Sequence, residues 1–185
     1  MQSLKHHFLL AMPHLDDPNF KGTLTYICDH DDNGTMGVVV NRPMELTLDA
    51  LLEQLELDAS ECPCRDTPVY YGGPVHKDRG FILHRGSNLP WDSSLQVADD
   101  LALTTSMDML KAIAEGRGPD DFIVCLGCTA WQAGQLEDEL KQNTWLTVEG
   151  DASILFDVHS EQRLNAAAGI LGVDLNLMTR EAGHS

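Results

Sequence analysis

Cys125 and Cys128 are the residues in this sequence best spaced for thiol chemistry, because they form a C-x-x-C motif. They follow a short apolar run and precede residues typical of a helix start, and the positive end of a helix lowers the pKa of a nearby thiol. A redox-responsive pair is therefore one hypothesis. The alternative is two small buried thiols, since no proline stands between them as in thioredoxin-type motifs and Cys125 is expected to point into a sheet.

Metal chemistry is not predicted. Cys62 and Cys64 form a C-x-C pair, which is not the usual spacing of a zinc knuckle. The acidic segment 29–34 resembles the first half of a calcium-binding loop, but Val40 stands where such a loop needs its closing glutamate. We expect an acidic hairpin turn there and no metal site.

The best candidate for an anion site is the segment 72–85. It begins with Gly72 and Gly73 and contains Lys77, Arg79 and Arg85, a quarter of all lysines and arginines in the chain. A cluster of cations in a short segment indicates a site for a small anion. The alternative, which we favour, is that the glycines only form a turn between strands and the cations neutralise acidic neighbours.

Two further groups of polar residues are expected at the ends of strands, where they could line a ligand pocket. One is Asn41 with Arg42, and the other is Thr105 with Ser106. Each group also has a simpler interpretation, since Pro43 can end a strand and Ser106 can cap a helix. The sequence contains no G-x-S-x-G elbow, Walker loop, H-E-x-x-H motif or Rossmann glycine fingerprint, so no cofactor is predicted and enzymatic activity stays open.

The elements that would position these residues are predicted from hydrophobic periodicity, capping residues and turns. Strands are expected at 23–28, 36–41, 69–72, 80–84, 101–104, 122–126 and around 154–156. Helices are expected at 47–55, from about 106, at 129–141 from a capping box of Thr129 and Gln132, and at 160–171. Early hairpins followed by alternating strands and helices predict an α+β domain with a mixed sheet.

Size and charge limit the possible functions. A chain of 185 residues is expected to form one domain, 1–185. Its 29 acidic and 12 basic residues give a net charge of −17, which repels nucleic-acid backbones and anionic membranes. It has no membrane-length apolar stretch and no signal-peptide core, and its five cysteines are an odd number, so a cytoplasmic protein with reduced thiols is expected.

Several ordered motifs make the sequence recognisable along essentially its whole length. They include HHFLLAMP at 6–13, DPNF at 17–20, NRP at 41–43, GGPV at 72–75, RGFILH at 79–84, TTS at 104–106, GQLE at 134–137 and AGH at 182–184. In these motifs the chain resembles the AlgH/YqgE family of bacterial proteins. The resemblance implies an α+β fold, in which a mixed, bifurcated β-sheet forms a barrel-like core with flanking helices.

The family name is associated with regulation of alginate production and with the label of transcriptional regulator, but the resemblance implies no agreed reaction and no catalytic residues. The family usually has an aromatic residue, often tyrosine, at the position of Cys128, which weakens the case for a family-wide dithiol. We therefore predict a cytoplasmic regulatory protein that acts through a protein or small-ligand contact, without direct DNA binding. The alternatives are a small-anion-binding enzyme or sensor and a redox-responsive thiol protein.

Overall fold

The computed structural model describes residues 2–63, 65–86 and 90–175, which form ten strands and five helices. The strands are β1 (His7–Ala11), β2 (Leu24–Asp31), β3 (Gly34–Val39), β4 (Pro43–Thr47), β5 (Pro68–Tyr71), β6 (Val75–Arg85), β7 (Ser94–Ala98), β8 (Leu101–Thr104), β9 (Phe122–Gln132) and β10 (Trp145–Glu149). The helices are α1 (Leu48–Gln54), α2 (Met107–Ala114), α3 (Gln135–Lys141), α4 (Ala152–Phe156) and α5 (Ser160–Ile170).

Strand β9 is the centre of the sheet. The main path of hydrogen-bonded neighbours runs β10-β1-β2-β3-β9-β6-β8-β7 and curls into a half-barrel. The first half of β9 also pairs in parallel with β5, which in turn pairs with β4, whereas its second half pairs with β3. The sheet therefore forks along β9, and the expected α+β fold with a mixed, bifurcated, barrel-like sheet is confirmed.

Glycines make the fork possible, because two backbones approach too closely there for side chains. A Cβ atom on Gly72 would lie 2.3 Å from the carbonyl oxygen of Gly127, and one on Gly73 would lie 2.2 Å from that of Cys128. Gly127 has a φ of 82°, a conformation that favours glycine. This irregularity within β9 leaves Cys125 and Cys128 facing the same core.

The two faces of the forked sheet have separate cores. The larger cluster joins residues of β1, β2, β3, β6 and β8 to α4 and α5, and includes Ile123 and Cys125 of β9. The second cluster packs α1 and α2 against β5 and β6, and includes Val124 of β9. Because neighbouring residues of a strand point to opposite faces, the almost entirely apolar start of β9 serves both cores.

Elements with strong local patterns form where they were predicted. The hairpin of β2 and β3, helices α1, α2 and α5, and strand β8 agree with the sequence analysis within a few residues at each end. Helix α2 begins after Ser106 and buries Met109, Leu110 and Ile113, because these apolar residues recur at helical spacing.

Two predicted elements are wrong. The helix expected to begin at Thr129 begins instead at Gln135, after Gly134 in a left-handed conformation, because β9 continues through Gln132 and Thr129 pairs with Gly37 of β3. The strand expected at 154–156 is helix α4, whose start is capped by the Asp151 side chain accepting from the Ser153 N–H. An apolar run of this length has no periodicity that separates a strand from a helix.

Candidate ligand cleft

A cleft of about 260 Å3 lies at the beginnings of β5 and β9, beside α4 and α5. Its apolar lining residues come from β5, β9, α4 and the start of α1, and its exposed walls are about equally polar and apolar. Its polar lining residues are Thr67, Tyr70, Asp120, Asp121 and Arg163. Its volume is slightly below the usual range of small-molecule sites, and its lining combines apolar residues with a few polar groups as such sites do.

Arg163 is the buried charge of this cleft, since the residue is only 6% exposed. Its Nε–H donates to the carbonyl oxygen of Val158 at 2.9 Å, and its Nη1–H donates to that of Val40 at 2.6 Å. The guanidinium carbon lies 5.2 Å from the centre of the Tyr70 ring. In the described part of the chain no carboxylate forms an ion pair with it, so only dipoles and an aromatic ring offset the cost of burying this charge.

Arg163 is not predicted from the sequence, because the residues of α5 do not divide clearly into an apolar and a polar face. Arg163 and Ala167 are four residues apart on α5 and both are buried, so the arginine lies on the face of the helix that packs on the core. Arginine is almost never fully buried unless its charge is compensated. A buried arginine without a carboxylate partner among the described residues is therefore a candidate binding residue.

The acidic end of the cleft contains Asp120 and Asp121. The Asp121 carboxylate accepts from the Nε–H of Arg85 at 2.8 Å, and this hydrogen bond raises the pKa of Arg85 above its usual range. The Arg85 guanidinium also lies 5.2 Å from the Phe156 ring centre and 3.6 Å from an Asp100 oxygen. Arg85 thus neutralises acidic neighbours, which agrees with the alternative interpretation of the basic segment 72–85.

The structure does not bring Lys77, Arg79 and Arg85 together. All three lie on β6, but six residues of extended strand separate Arg79 from Arg85, which corresponds to roughly 20 Å. Lys77 and Arg79 are exposed at the start of the strand. A shared anion site for all three is therefore not supported by their positions, and a site at Lys77 and Arg79 stays a prediction.

Asn41 and Arg42 hold the loop that precedes β2. The Asn41 side chain accepts from the Leu24 N–H at 2.9 Å and donates to the Gly22 carbonyl at 3.0 Å. The Arg42 guanidinium donates to the carbonyls of Pro18, Asn19 and Lys21 at 2.8 to 3.0 Å. These contacts join the NRP and DPNF motifs, and they occupy the groups that were predicted to bind a ligand.

Thr105 and Ser106 bind the segment before β7. The Thr105 and Ser93 hydroxyls lie 2.9 Å apart, and the Ser106 hydroxyl accepts from the Ser93 N–H at 3.1 Å. Ser106 also donates to Asp108 at the start of α2. Gly72 and Gly73 lie at the fork of the sheet, so all four residues have structural contacts and their role in ligand binding stays a prediction.

The two cysteines of the C-x-x-C motif lie within strand β9, so the predicted junction of a strand with a helix is wrong. Cys125 is fully buried and Cys128 is 3% exposed. Burial raises the pKa of Cys125 to about 12 and also raises that of Cys128, although the nearby Arg79 charge lowers the latter in part. Raised pKa values disfavour the reactive thiolate, and the redox role stays a prediction.

The GQLE motif fixes α3 against the start of the chain. The Nδ1 atom of the buried His30 accepts from the Leu4 N–H at 2.8 Å, which leaves its Nε2–H to donate to Glu137 at 2.6 Å. This hydrogen bond lowers the pKa of Glu137. Nothing in the sequence pattern indicates a partner for Glu137 that lies 107 residues away.

Glu139, two residues further along α3, connects the two buried tryptophans of this region. Its Oε1 atom accepts from the indole N–H of Trp131 at 3.3 Å and from that of Trp145 at 3.2 Å. The Phe20 ring packs against both indoles, with centroid distances of 6.4 and 5.5 Å. The family motifs in this region therefore maintain packing.

Two kinds of site are absent from the described residues. Across 2–63, 65–86 and 90–175, no group of three or more His, Cys, Asp or Glu side chains is arranged to hold a metal. No helix in these ranges is long and apolar enough to cross a membrane.

The fold and the cleft define an α+β protein with a forked, curled sheet and a small cleft beside α4 and α5. The family model described as AlgH-like matches residues 8–176, and the chain belongs to this family. It is 90% identical over 185 residues to a UPF0301 protein from Chromohalobacter salexigens, covering 100% of both chains. It is 53% identical over 183 residues to a UPF0301 protein from Thiobacillus denitrificans, covering 99% of this chain and 98% of the relative.

Solved structures agree with this assignment. The solution structure of the AlgH protein from Pseudomonas aeruginosa matches with a TM-score of 0.81 and 49% identity, covering 97% of this chain and 96% of that one. A crystal structure of protein DIP2367 from Corynebacterium diphtheriae matches with a TM-score of 0.77 at 15% identity, covering 97% and 93%. At that identity the second match supports the fold alone.

Proposed function

We propose that this chain is a single-domain regulatory protein of the cytoplasm, which acts through contact with a small ligand or a partner protein and does not itself bind DNA. The regulatory role follows the family resemblance. The indirect mode of action rests on one observation, the distribution of positive charge over the structure. A protein that binds DNA directly needs lysines and arginines that reach the phosphates.

The described helices carry few cations. Lys111 on α2, Lys141 on α3 and Arg163 on α5 are the only lysines or arginines among the residues of the five helices, and Arg163 is buried. No described helix therefore presents a row of cations to a DNA groove. The net charge of −17 adds long-range repulsion.

Several remaining arginines and lysines are already engaged by the protein. Arg42 donates to loop carbonyls and Arg85 pairs with Asp121. Arg117 pairs with Glu115, and Lys21 lies 3.6 Å from Asp16. The described cations whose side chains make no hydrogen bond or ion pair are Lys5, Arg65, Lys77, Arg79, Lys111 and Lys141. Only Lys77 and Arg79 share an element, β6, and one exposed pair is too few for a stable DNA complex in salt.

The test is fluorescence anisotropy of the purified protein with labelled duplexes, both random sequences and promoter fragments of genes whose expression changes when the protein is deleted. We expect at most weak, sequence-independent binding that disappears between about 50 and 200 mM salt. The double variant Lys77→Gln/Arg79→Gln should abolish this weak DNA binding. A sequence-specific complex that persists at the higher salt, formed by the protein alone, would overturn the proposal.

A second candidate function is a small-anion sensor at Lys77 and Arg79. The observation that favours it is that both side chains are exposed and make no hydrogen bond or ion pair in the described part of the chain. Titration with inorganic phosphate should then shift the amide resonances of 76–80, and the double variant should remove the shifts. Unchanged resonances in this segment would exclude the site.

A further inference from the structure

The cleft beside α4 and α5 has opposite charges at its two ends. Strands β5 and β9 run parallel with Tyr70 beside Cys125, and Asp121 precedes Cys125 by four residues. Extended strand rises about 3.3 Å per residue, so the Asp121 backbone lies roughly 13 Å along the sheet from that of Tyr70. The Arg163 guanidinium, which is 5.2 Å from the Tyr70 ring centre, marks the basic end.

Each end has unused hydrogen-bonding capacity. At the basic end, the described residues provide no hydrogen-bond acceptor for Nη2 of Arg163, whose other nitrogens donate to Val40 and Val158. The Tyr70 hydroxyl has no hydrogen-bond partner among the same residues, although Tyr70 is only 8% exposed. At the acidic end, Asp120 is exposed and its carboxylate is in none of the ion pairs that the described residues form, whereas Asp121 is bound by Arg85.

These features limit the class of ligand. A cation alone would meet the uncompensated charge of Arg163, and a dianion such as phosphate would meet the Asp120 carboxylate and the field of a protein with net charge −17. A molecule with one charge of each sign can pair with both ends of the cleft, and because its net charge is zero the acidic protein does not repel it. A volume of about 260 Å3 is small for a drug-sized ligand and suits a molecule of a few heavy atoms.

We propose that the cleft binds a small zwitterion, an amino acid or short amino carboxylate, with its carboxylate on Arg163 and the Tyr70 hydroxyl and its ammonium group towards Asp120. The planar guanidinium favours a carboxylate, because two parallel N–H groups match its two oxygens. The cleft volume of about 260 Å3 leaves room for only a few heavy atoms besides the two charged groups of the ligand. That volume corresponds to a short amino carboxylate better than to a long peptide.

The experiment is a titration of the full chain by calorimetry and by amide chemical shifts. The probes are glycine, β-alanine and γ-aminobutyrate, with acetate and ethylammonium as molecules that carry only one of the two charges, and inorganic phosphate as the dianion. We expect at least one amino carboxylate to bind about tenfold more tightly than acetate and ethylammonium, with shifts near Tyr70 and Leu155. Equal binding of the single-charge probes, tighter binding of phosphate or no shift with any probe would each overturn the proposal.

Asp120→Asn is the decisive variant, because Asp120 is exposed and has no described contact that the fold would lose. It should lower the affinity for the amino carboxylate about tenfold, while the affinity for acetate stays unchanged or rises slightly. The matched control is Asp32→Asn, which removes the same charge from the exposed hairpin turn between β2 and β3. If Asp120→Asn behaves like Asp32→Asn for every probe, the placement of the ammonium group is wrong.

Arg163→Lys tests the basic end, since lysine keeps the charge but lacks the paired donors. We expect about a tenfold loss of both amino carboxylate and acetate binding. Arg163 also holds two carbonyls, so the variant is used only if its thermal unfolding remains cooperative; the result with Asp120→Asn does not depend on it. Unchanged binding by a folded Arg163→Lys would contradict the role of the guanidinium.

This inference rests on the proposed function only in so far as the regulator responds to a small ligand. The proposed function and the ligand assignment can be refuted independently of each other. Sequence-specific DNA binding would overturn the indirect mode of action whether or not the cleft binds an amino carboxylate. A cleft that binds none of the probes would overturn the ligand assignment and leave contact with a partner protein as the mode of action.

Discussion

Replacing Glu137 by glutamine should destabilise the protein, and replacing it by alanine should destabilise the protein further. Glutamine keeps an oxygen that can accept the Nε2–H of His30 but removes the negative charge. Hydrogen bonds to charged groups contribute about 1.5–3 kcal/mol and those between neutral groups about 0.5–1.5, so the lost charge costs about 1 kcal/mol. Glu137 also lies in the first turn of α3, where a carboxylate adds about 0.3–1 kcal/mol through the helix dipole.

Alanine removes the acceptor altogether. The His30 side chain is 1% exposed, so its Nε2–H would have no hydrogen-bond partner in an apolar interior. Leaving a buried polar group unpaired costs about 1–3 kcal/mol, and the total for Glu137→Ala is therefore about 2–4 kcal/mol. For a domain of this size each kcal/mol lowers the melting temperature by about 2–4 °C, so the alanine variant should melt at least about 4 °C below the wild type.

Asp138→Asn is the matched control, because Asp138 is exposed in the same first turn and its side chain has no described hydrogen bond. It loses only the dipole contribution. Thermal and urea unfolding followed by circular dichroism should therefore rank the variants Asp138→Asn, Glu137→Gln, Glu137→Ala in order of increasing damage. If Glu137→Gln and Asp138→Asn are equally stable, the charge of Glu137 does not strengthen its hydrogen bond with His30, and the reasoning fails.

The same pair makes a prediction about pH. The hydrogen bond from His30 lowers the folded-state pKa of Glu137 below the value of about 4.3 for an unperturbed glutamate. A group with a lowered folded-state pKa contributes stability above its unfolded pKa and loses it as the pH falls through the folded one. The stability difference between wild type and Glu137→Gln should be full at pH 7 and shrink below about pH 4.3. A difference that does not change over this range would contradict the assignment.

Three further predictions concern the fork, the tryptophans and the thiols. Gly73→Ala should cost about 3 kcal/mol or more in urea unfolding, because its Cβ would lie 2.2 Å from a backbone oxygen, whereas Gly169→Ala, with no atom within 4 Å, should stabilise α5 by about 0.5–1 kcal/mol. Glu139→Ala should cost about 2 kcal/mol or more by the same assay, since two indole N–H groups lose their acceptor. Cys125 and Cys128 should react with a thiol reagent at neutral pH only when urea unfolds the chain, and rapid labelling of native Cys128 would revive the redox hypothesis.

The sequence predicts those elements whose information is local. Helix α2 follows from Ser106 at its start and from apolar residues at helical spacing, and the hairpin of β2 and β3 follows from two β-rich segments around an Asn-Gly step. The start of α3 could not be found in this way. Thr129 and Gln132 match a capping box locally, but a distant strand, β3, pairs with the same residues and keeps them extended.

The contacts of the candidate cleft could not be predicted from the sequence, because they also join residues that are far apart in the chain. Arg163 meets Val40 across 123 residues, and Tyr70 reaches the cleft because of a parallel register with β9. Residue types and spacing predicted instead the polar groups at strand ends, Asn41, Arg42 and Ser106. Those positions do carry hydrogen bonds, but the bonds are to the protein's own loops.

This difference suggests how a binding residue is separated from a structural one in a fold of this kind. Arg42 and Arg163 are both arginines with hydrogen bonds to backbone carbonyls, and neither has a carboxylate partner in the described residues. Two nitrogens of Arg42 donate to three carbonyls of one loop, so the structural role of Arg42 is to hold that loop. Arg163 is buried beside an open cleft with a nitrogen that no described acceptor reaches, and a buried charge is retained at a cost in stability. A ligand carboxylate would offset that cost, which is why the cleft, and not the segment richest in cations, is where we expect this family member to recognise a small molecule.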